Sequence, residues 1–132
     1  MDLEILKIAS NTDNNKVLTN HTHYSKLKNP ICGDEMHVSV KIVKDKIVDF
    51  GYQCKSCIYC QASVSLLSRQ SINKKTLDIK NLLKISEIFF EKENSIFPKE
   101  WSLFNKIFNK QNISRKECLL LPFKTLAKAL RS

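Results

Sequence analysis

The chain has 132 residues, 42% of them hydrophobic, and a formal net charge of +9. This length allows one compact core and is short for two full domains, so we expect a single domain over residues 1–132, with residues 1–20 as a loosely packed N-terminal segment. No apolar run approaches the roughly 20 residues needed to span a bilayer, and the N-terminus lacks the pattern of a secretion signal. We therefore expect a cytoplasmic protein with no membrane partner.

The positive charge is spread along the chain and is not gathered into a patch. Proteins that bind nucleic acid neutralise phosphates with clustered Lys and Arg side chains. Here basic residues occur at most in pairs such as Lys74-Lys75. The sequence therefore does not indicate a dedicated nucleic-acid partner.

The middle of the chain has the alternation of a β-hairpin. Apolar and polar residues alternate from Met36 to Ile42, which places one set of side chains on each face of a strand. A polar turn follows at residues 44–46, and a second β-rich run extends from Ile47 to Tyr52. The pattern predicts two antiparallel strands joined by a short turn.

Helical patterns surround this hairpin. Apolar residues three and four positions apart predict a helix in each of several segments. These are one or two short helices within residues 1–30, a helix from Ala62 to near Asn73, one from Thr76 to about Glu93, and one around Lys99 to Asn109. The aromatic residues of the last of these have core spacing.

The C-terminal segment carries two conflicting signals. Ser114 and Glu117 fit a capping box, but Pro122 would then lie inside the helix and lack a backbone donor. A helix that begins nearer Cys118 or Leu119 brings Pro122 close to the first turn, so we predict that start. The order of elements predicts an α+β fold with a small antiparallel β-sheet covered by several α-helices.

The five cysteines are the residues most suited to chemistry. An odd number of cysteines in a chain without a secretion signal argues against a disulfide framework. Reduced thiols are available as metal ligands or nucleophiles. The cysteines lie at positions 32, 54, 57, 60 and 118.

Two of these segments have the spacing of metal ligands. Cys32 and Asp34 offer a thiolate and a carboxylate two positions apart, and Gly33 gives the backbone freedom to turn both toward one ion. In the segment 54–60, thiols three residues apart suit a tetrahedral metal, with Cys118 as a distant further ligand.

Two other interpretations apply to the segment 54–60. A lone cysteine is more often a small buried apolar residue, but the repeated spacing in a polar turn favours a metal site. A redox pair at Cys54 and Cys57 normally follows a strand within a βαβ unit, and the preceding hairpin argues against it.

Three segments also carry the residues of known motifs. They are NPICGDEM at residues 29–36, Cys57 followed by Ala62-Ser63-Val64-Ser65, and SRKEC with the downstream LLLPFKTLAKAL at residues 114–130. These resemble, in the same order, the NPxCGD, CxxxxASxS and R-x-x-C motifs of the IscU/SufU/NifU family of iron–sulfur cluster assembly scaffolds. The resemblance spans about residues 20–130.

This resemblance implies a fold, a site and partners. The fold is α+β, with a small antiparallel sheet of about three strands packed against several helices. The implied ligands are Cys32, Asp34, Cys57 and Cys118, with sulfur accepted at Cys118 or Cys57 and Arg115 in support. The implied protein is a scaffold or sulfur acceptor and not an enzyme, a monomer or weak homo-oligomer that works with a cysteine desulfurase and with apo iron–sulfur acceptor proteins.

The bound species has two alternatives within the family. In the scaffold role the ligands hold a transient iron–sulfur cluster, whereas in the SufU branch they hold Zn²⁺ and a released cysteine accepts persulfide sulfur. The segment 76–93 resembles the insertion of SufU-type proteins, and Glu117 stands where Isc-type scaffolds have a histidine. The SufU branch is therefore favoured.

The chain departs from the family pattern in the segment 54–60. Cys54 and Ser56 stand where the family usually has glycines, and Cys60 stands where it has a small residue without a thiol. The extra thiols of Cys54 and Cys60 are possible alternate metal ligands, a redox pair, or incidental.

Overall fold

A computed structural model describes residues 3–31, 33–92 and 95–131. The described elements, in order, are α1 (Leu3–Ala9), β1 (His23–Lys28), β2 (Glu35–Val43), β3 (Lys46–Lys55), α2 (Ile58–Ser71), α3 (Thr76–Phe89), two 3₁₀ helices (Lys99–Lys106 and Lys110–Arg115) and α4 (Lys116–Arg131). Every helix in these ranges is too short or too polar to cross a bilayer.

The three strands form one antiparallel sheet in the order β1-β2-β3. The predicted core face of β2 is confirmed, since Met36, Val38 and Val40 are fully buried. Val43 pairs with Lys46, and the two residues between them have positive φ values of 52° and 62°. Such a turn has the twist that joins two antiparallel strands tightly. The predicted α+β fold with a three-stranded antiparallel sheet is confirmed.

Helices cover one face of the sheet and bury the core. α2 packs against β3, α4 packs against β1 and β2, and the two helices contact each other. α1 packs on α2, and α3 packs on α4. This layer joins α2 and α4 along the sheet, which brings the N-terminal turns of both helices to one end of the molecule.

An aromatic cluster attaches the 3₁₀ segment to α4. The ring of Phe123 meets those of Phe104 and Phe108 edge to face, with centroids 5.5 and 5.2 Å apart. Phe97 and Phe89 extend the cluster toward α3. The core role predicted for the aromatics of this segment agrees with their burial, which includes Trp101.

The structure differs from the sequence prediction at several element boundaries. The helix predicted at 99–109 is a 3₁₀ helix over Lys99–Lys106 with a non-helical residue at Trp101. The helix predicted to reach Glu93 ends at Phe89, and Glu93 itself lies outside the described residues. β1 occupies a region where helices were expected, because its inward residue is Ser25 and apolar alternation is absent.

The predicted start of α4 is wrong. The helix begins at Lys116, directly after the second 3₁₀ helix, so Pro122 lies in its interior. Proline has no backbone N–H, and the carbonyl of Cys118 therefore loses its usual helical donor. The helix continues through this position because Leu119 and Leu126 are fully buried against the sheet and α2.

The N-terminal segment contacts the rest of the fold over its described residues. Ile5 and Ile8 of α1 are buried in the core. Further on, the backbone N–H of Tyr52 donates to the carbonyl of Asn14 at 3.0 Å. The chain passes so close to β3 that a Cβ at Gly51 would lie 2.7 Å from the carbonyl oxygen of Lys16. Glycine is therefore required at position 51.

We expect Gly51→Ala to lower the free energy of unfolding by about 1–3 kcal/mol, because the new methyl group displaces backbone atoms that are fixed by pairing. Urea denaturation would measure the change. Val48→Ala on the same strand is the control, and its partly exposed side chain should cost within about 0.5 kcal/mol. Equal stability of the two variants would contradict the close approach.

Candidate metal centre

Three potential ligands from separate parts of the chain meet at one end of the fold. The ligand atoms of Asp34, Cys57 and Cys118 all lie within 4.8 Å of one another. Asp34 precedes β2, Cys57 precedes α2, and Cys118 lies in the first turn of α4. Cys32, the fourth predicted ligand, lies outside the described residues.

Asn29 organises the turn that presents Asp34. Its backbone N–H donates to the carbonyl of Asp34 at 2.8 Å, and its own carbonyl accepts from the N–H of Gly33 at 2.7 Å. Its side-chain Oδ1 accepts from the N–H of Ile31 at 3.0 Å. Gly33 has a φ of +79°, a conformation that glycine adopts without steric cost.

Cys57 is the N-cap residue of α2. Its backbone is extended, and its side chain makes no capping hydrogen bond. Gln61 donates two hydrogen bonds at this end of the helix. Its backbone N–H donates to the carbonyl of Cys57 at 3.0 Å, and its side-chain amide donates to the carbonyl of Ser56 at 2.9 Å. The half-buried thiol of Cys57 is thus left to face Asp34 and Cys118.

Two contacts link the segment of Cys57 to that of Cys118. The hydroxyl of Ser63 in α2 donates to the carbonyl of Leu119 in α4 at 2.6 Å. The guanidinium of Arg115 lies over the ring of Tyr59, 5.1 Å from its centroid, which is a cation–π geometry. The two contacts join the N-terminal half of α2 to the start of α4 and to the 3₁₀ helix before it, close to the two thiols.

The donor set fits a metal ion. One carboxylate oxygen of Asp34, Oδ2, is buried and has no hydrogen-bond partner in the described structure. A buried, unpartnered carboxylate oxygen is costly unless a cation satisfies it. Two thiols and one carboxylate are ligands suited to zinc or iron.

Cys54 and Cys60 lie next to this group but outside it. Burial raises the pKa of the Cys60 thiol far above its ordinary value, and the nearby Cys54, Asp34 and Cys57 raise this pKa further, while the Ser56 hydroxyl acts in the opposite direction. Burial also raises the pKa of Cys54. Neither thiol belongs to the group of ligand atoms within 4.8 Å.

Comparison with known proteins identifies the family of this fold. The family model described as the NifU-like N terminal domain matches residues 2–101. The chain belongs to this family. The match ends before Cys118, so it covers the segments of Asp34 and Cys57 but not α4.

A relative is also similar over much of the chain. The chain is 29% identical over 104 residues to the iron–sulfur cluster assembly scaffold protein IscU of Thermotoga maritima. The aligned residues cover 79% of this chain and 73% of that protein.

Two solved structures share the fold. One is a nitrogen-fixing NifU-like protein (N-terminal) from Brucella abortus, with a TM-score of 0.88, 22% identity and coverage of 98% of this chain and 91% of that one. The other is described as an iron–sulfur cluster assembly scaffold protein for the SUF system, from Fervidobacterium islandicum AW-1. Its TM-score is 0.86 at 26% identity, with 98% and 96% coverage. The resemblance inferred from the motifs is confirmed.

Several residues that build this NifU-like site carried no assigned role in the sequence. Asn29 and Ser63 lie within the matched motifs, but nothing in their spacing indicated which backbone groups they bind. Tyr59 and Gln61 had no signal beyond their proximity to Cys57.

We expect Ser63→Ala to lower the free energy of unfolding by about 1 kcal/mol, because it removes a buried hydrogen bond between α2 and α4. Ser71→Ala is the matched control: this residue is also fully buried on α2, but its hydroxyl has no partner in the described structure. That variant should be neutral or slightly more stable. Chemical denaturation would measure both, and equal effects would show that the bond contributes nothing.

Proposed function

We propose that this NifU-like chain is an iron–sulfur cluster assembly scaffold that accepts sulfur from a cysteine desulfurase and holds iron or a nascent cluster for transfer to acceptor proteins. The observation that carries the proposal is the meeting of Asp34, Cys57 and Cys118 within 4.8 Å in a member of this family. Cys32, in the motif next to Asp34, completes the proposed ligand set.

The mixed ligands suit a cargo that must leave again. Thiolates of Cys32, Cys57 and Cys118 would bind iron and the cluster firmly, as thiolates do in iron–sulfur proteins. The carboxylate of Asp34 is a harder ligand and binds these centres less tenaciously than a fourth thiolate would. One weaker ligand gives an acceptor protein a position at which to displace the scaffold.

Sulfur acceptance requires a thiolate that a donor can reach. Cys57 is half-buried, whereas Cys118 is 7% exposed, so Cys57 is the more accessible of the two proposed acceptors. In the transfer, the acceptor thiolate attacks the outer sulfur of the donor persulfide, the donor S–S bond breaks, and the donor leaves as a thiolate. Arg115, fixed over Tyr59, supplies positive charge beside this exchange.

A second function fits the same residues. Zn²⁺ held by Cys32, Asp34, Cys57 and Cys118 would keep the thiols deprotonated and ready for sulfur transfer, as in a SufU-type sulfur acceptor. The 26% identity to a solved structure described as a scaffold protein for the SUF system is a reason to test for zinc as well as iron. The two functions differ in the bound metal.

The first measurement is the iron, zinc and acid-labile sulfide content of protein purified without oxygen, with its visible absorption spectrum. We expect either iron with sulfide and charge-transfer bands, which supports the cluster scaffold, or about one zinc per chain without sulfide, which supports the sulfur acceptor. Protein that binds neither metal, even after metal is added under reducing conditions, would contradict both functions.

We expect Cys118→Ser to reduce metal content at least about tenfold, because loss of a ligand should cost no less than loss of a supporting residue does. Sulfur accepted from a desulfurase should fall with it. Cys54→Ser is the matched control and should retain both properties. Equal losses in the two variants would mean that the proposed ligand set is wrong.

A further inference from the structure

Cys57 and Cys60 form a thiol pair in the first turn of α2. Cys57 is the N-cap residue and Cys60 is the third residue of the helix, and the N–H of Gln61 closes this turn on the carbonyl of Cys57 at 3.0 Å. Residues three apart on a helix bring their Cβ atoms within about 5–6 Å, close to the roughly 3.5–4.5 Å of a disulfide. The backbone of Cys57 at the N-cap is extended, so a small rotation of this residue can bring the two Cβ atoms to the distance of a disulfide.

The two thiols differ in exposure as an attacking and a resolving thiol do. Cys57 is half-buried and belongs to the ligand group, whereas Cys60 is fully buried. The thiol of Cys60 lies close enough to Cys57, Cys54 and Asp34 to interact with each electrostatically. Cys60 is thus a buried thiol next to the candidate metal centre.

Cys54 does not share this geometry. β3 continues through Lys55, and Cys57 still has an extended backbone. Three extended residues span up to about 10 Å, whereas the Cα atoms of a disulfide are usually about 4.4–6.8 Å apart. Cys54 and Cys57 are therefore badly placed to form a bond, and Cys60 is the partner within reach.

The proposed function creates a need for electrons. Sulfur arrives as the neutral sulfane sulfur of a persulfide, but a cluster contains sulfide, so each sulfur must gain two electrons. Two thiols that become a disulfide release two electrons. A thiol pair at the acceptor residue can therefore reduce the delivered sulfur to sulfide within the site.

We propose that Cys60 resolves a persulfide formed on Cys57 and thereby releases sulfide at the site; this inference rests on the proposed function for the sulfur itself. The sulfur of Cys60 attacks Sγ of Cys57 as the thiol gives up its proton, and a bond forms between the two Sγ atoms. The bond from Sγ of Cys57 to the sulfane sulfur breaks, and that sulfur leaves with the electron pair as HS⁻. The proton of the Cys60 thiol is released to solvent or to HS⁻. A dithiol reductant then restores the pair for the next cycle.

The test uses the full-length protein, purified without oxygen and freed of small thiols, with one equivalent of glutathione persulfide as the sulfur donor. Released sulfide is trapped and measured. Intact mass and peptide mapping then distinguish a protein that has gained one sulfur atom from one that has lost two hydrogens. We expect the unchanged protein to release close to one equivalent of sulfide and to contain a Cys57–Cys60 disulfide.

Cys60→Ala should retain a persulfide on Cys57 and release at least about tenfold less sulfide, with metal binding unchanged. Cys60→Ser gives the same comparison if the alanine variant folds poorly. Cys54→Ala is the control, and it should release sulfide as the unchanged protein does.

Two results would overturn the inference in distinguishable ways. If Cys60→Ala accepts sulfur and releases as much sulfide as the unchanged protein, or if Cys54→Ala abolishes release, the resolving role is wrong while sulfur acceptance stands. If no protein gains sulfur from the donor or from a cysteine desulfurase, sulfur acceptance fails and the resolving step fails with it.

Discussion

The contact between α2 and α4 determines the geometry of the candidate metal centre. Each helix carries one of the two thiols in or before its first turn, and the hydroxyl of Ser63 joins the helices at the carbonyl of Leu119. This bond lies next to Pro122, where α4 lacks one of its own backbone donors. A side chain from α2 therefore binds α4 close to the position at which proline removes a backbone donor, and next to Cys118.

The sequence predicted the elements whose burial produces a regular pattern. β2 alternates because one of its faces is buried by helices, and that alternation is visible as Met36, Val38 and Val40. β1 was missed because its buried residue is Ser25, whose polar side chain does not contribute to an apolar alternation. The 3₁₀ helices and the start of α4 were misplaced because the same apolar spacing fits either helix type and several starting points.

The site required a different kind of inference. Cys57 and Cys118 are separated by α3 and two 3₁₀ helices, and no local rule brings such distant residues together. Ligand chemistry suggested Cys118 as a distant ligand, and the resemblance to a known family indicated that it would meet Asp34 and Cys57. The sequence did not place Cys57 and Cys60 in the same helical turn, because α2 begins four residues before the predicted start. With the observed start, their spacing puts both residues in the first turn.

The separation of the ligands along the chain has a consequence for folding. An ion that joins Asp34, Cys57 and Cys118 ties together three distant points, and so acts as a reversible cross-link on the polypeptide. Such a link removes conformational freedom from the unfolded chain, and the effect grows with the length of the loops that it closes. Binding and loss of such an ion would then tighten and loosen the packing of α4, so the metal-free protein would be the form most open to proteolysis and to quality control.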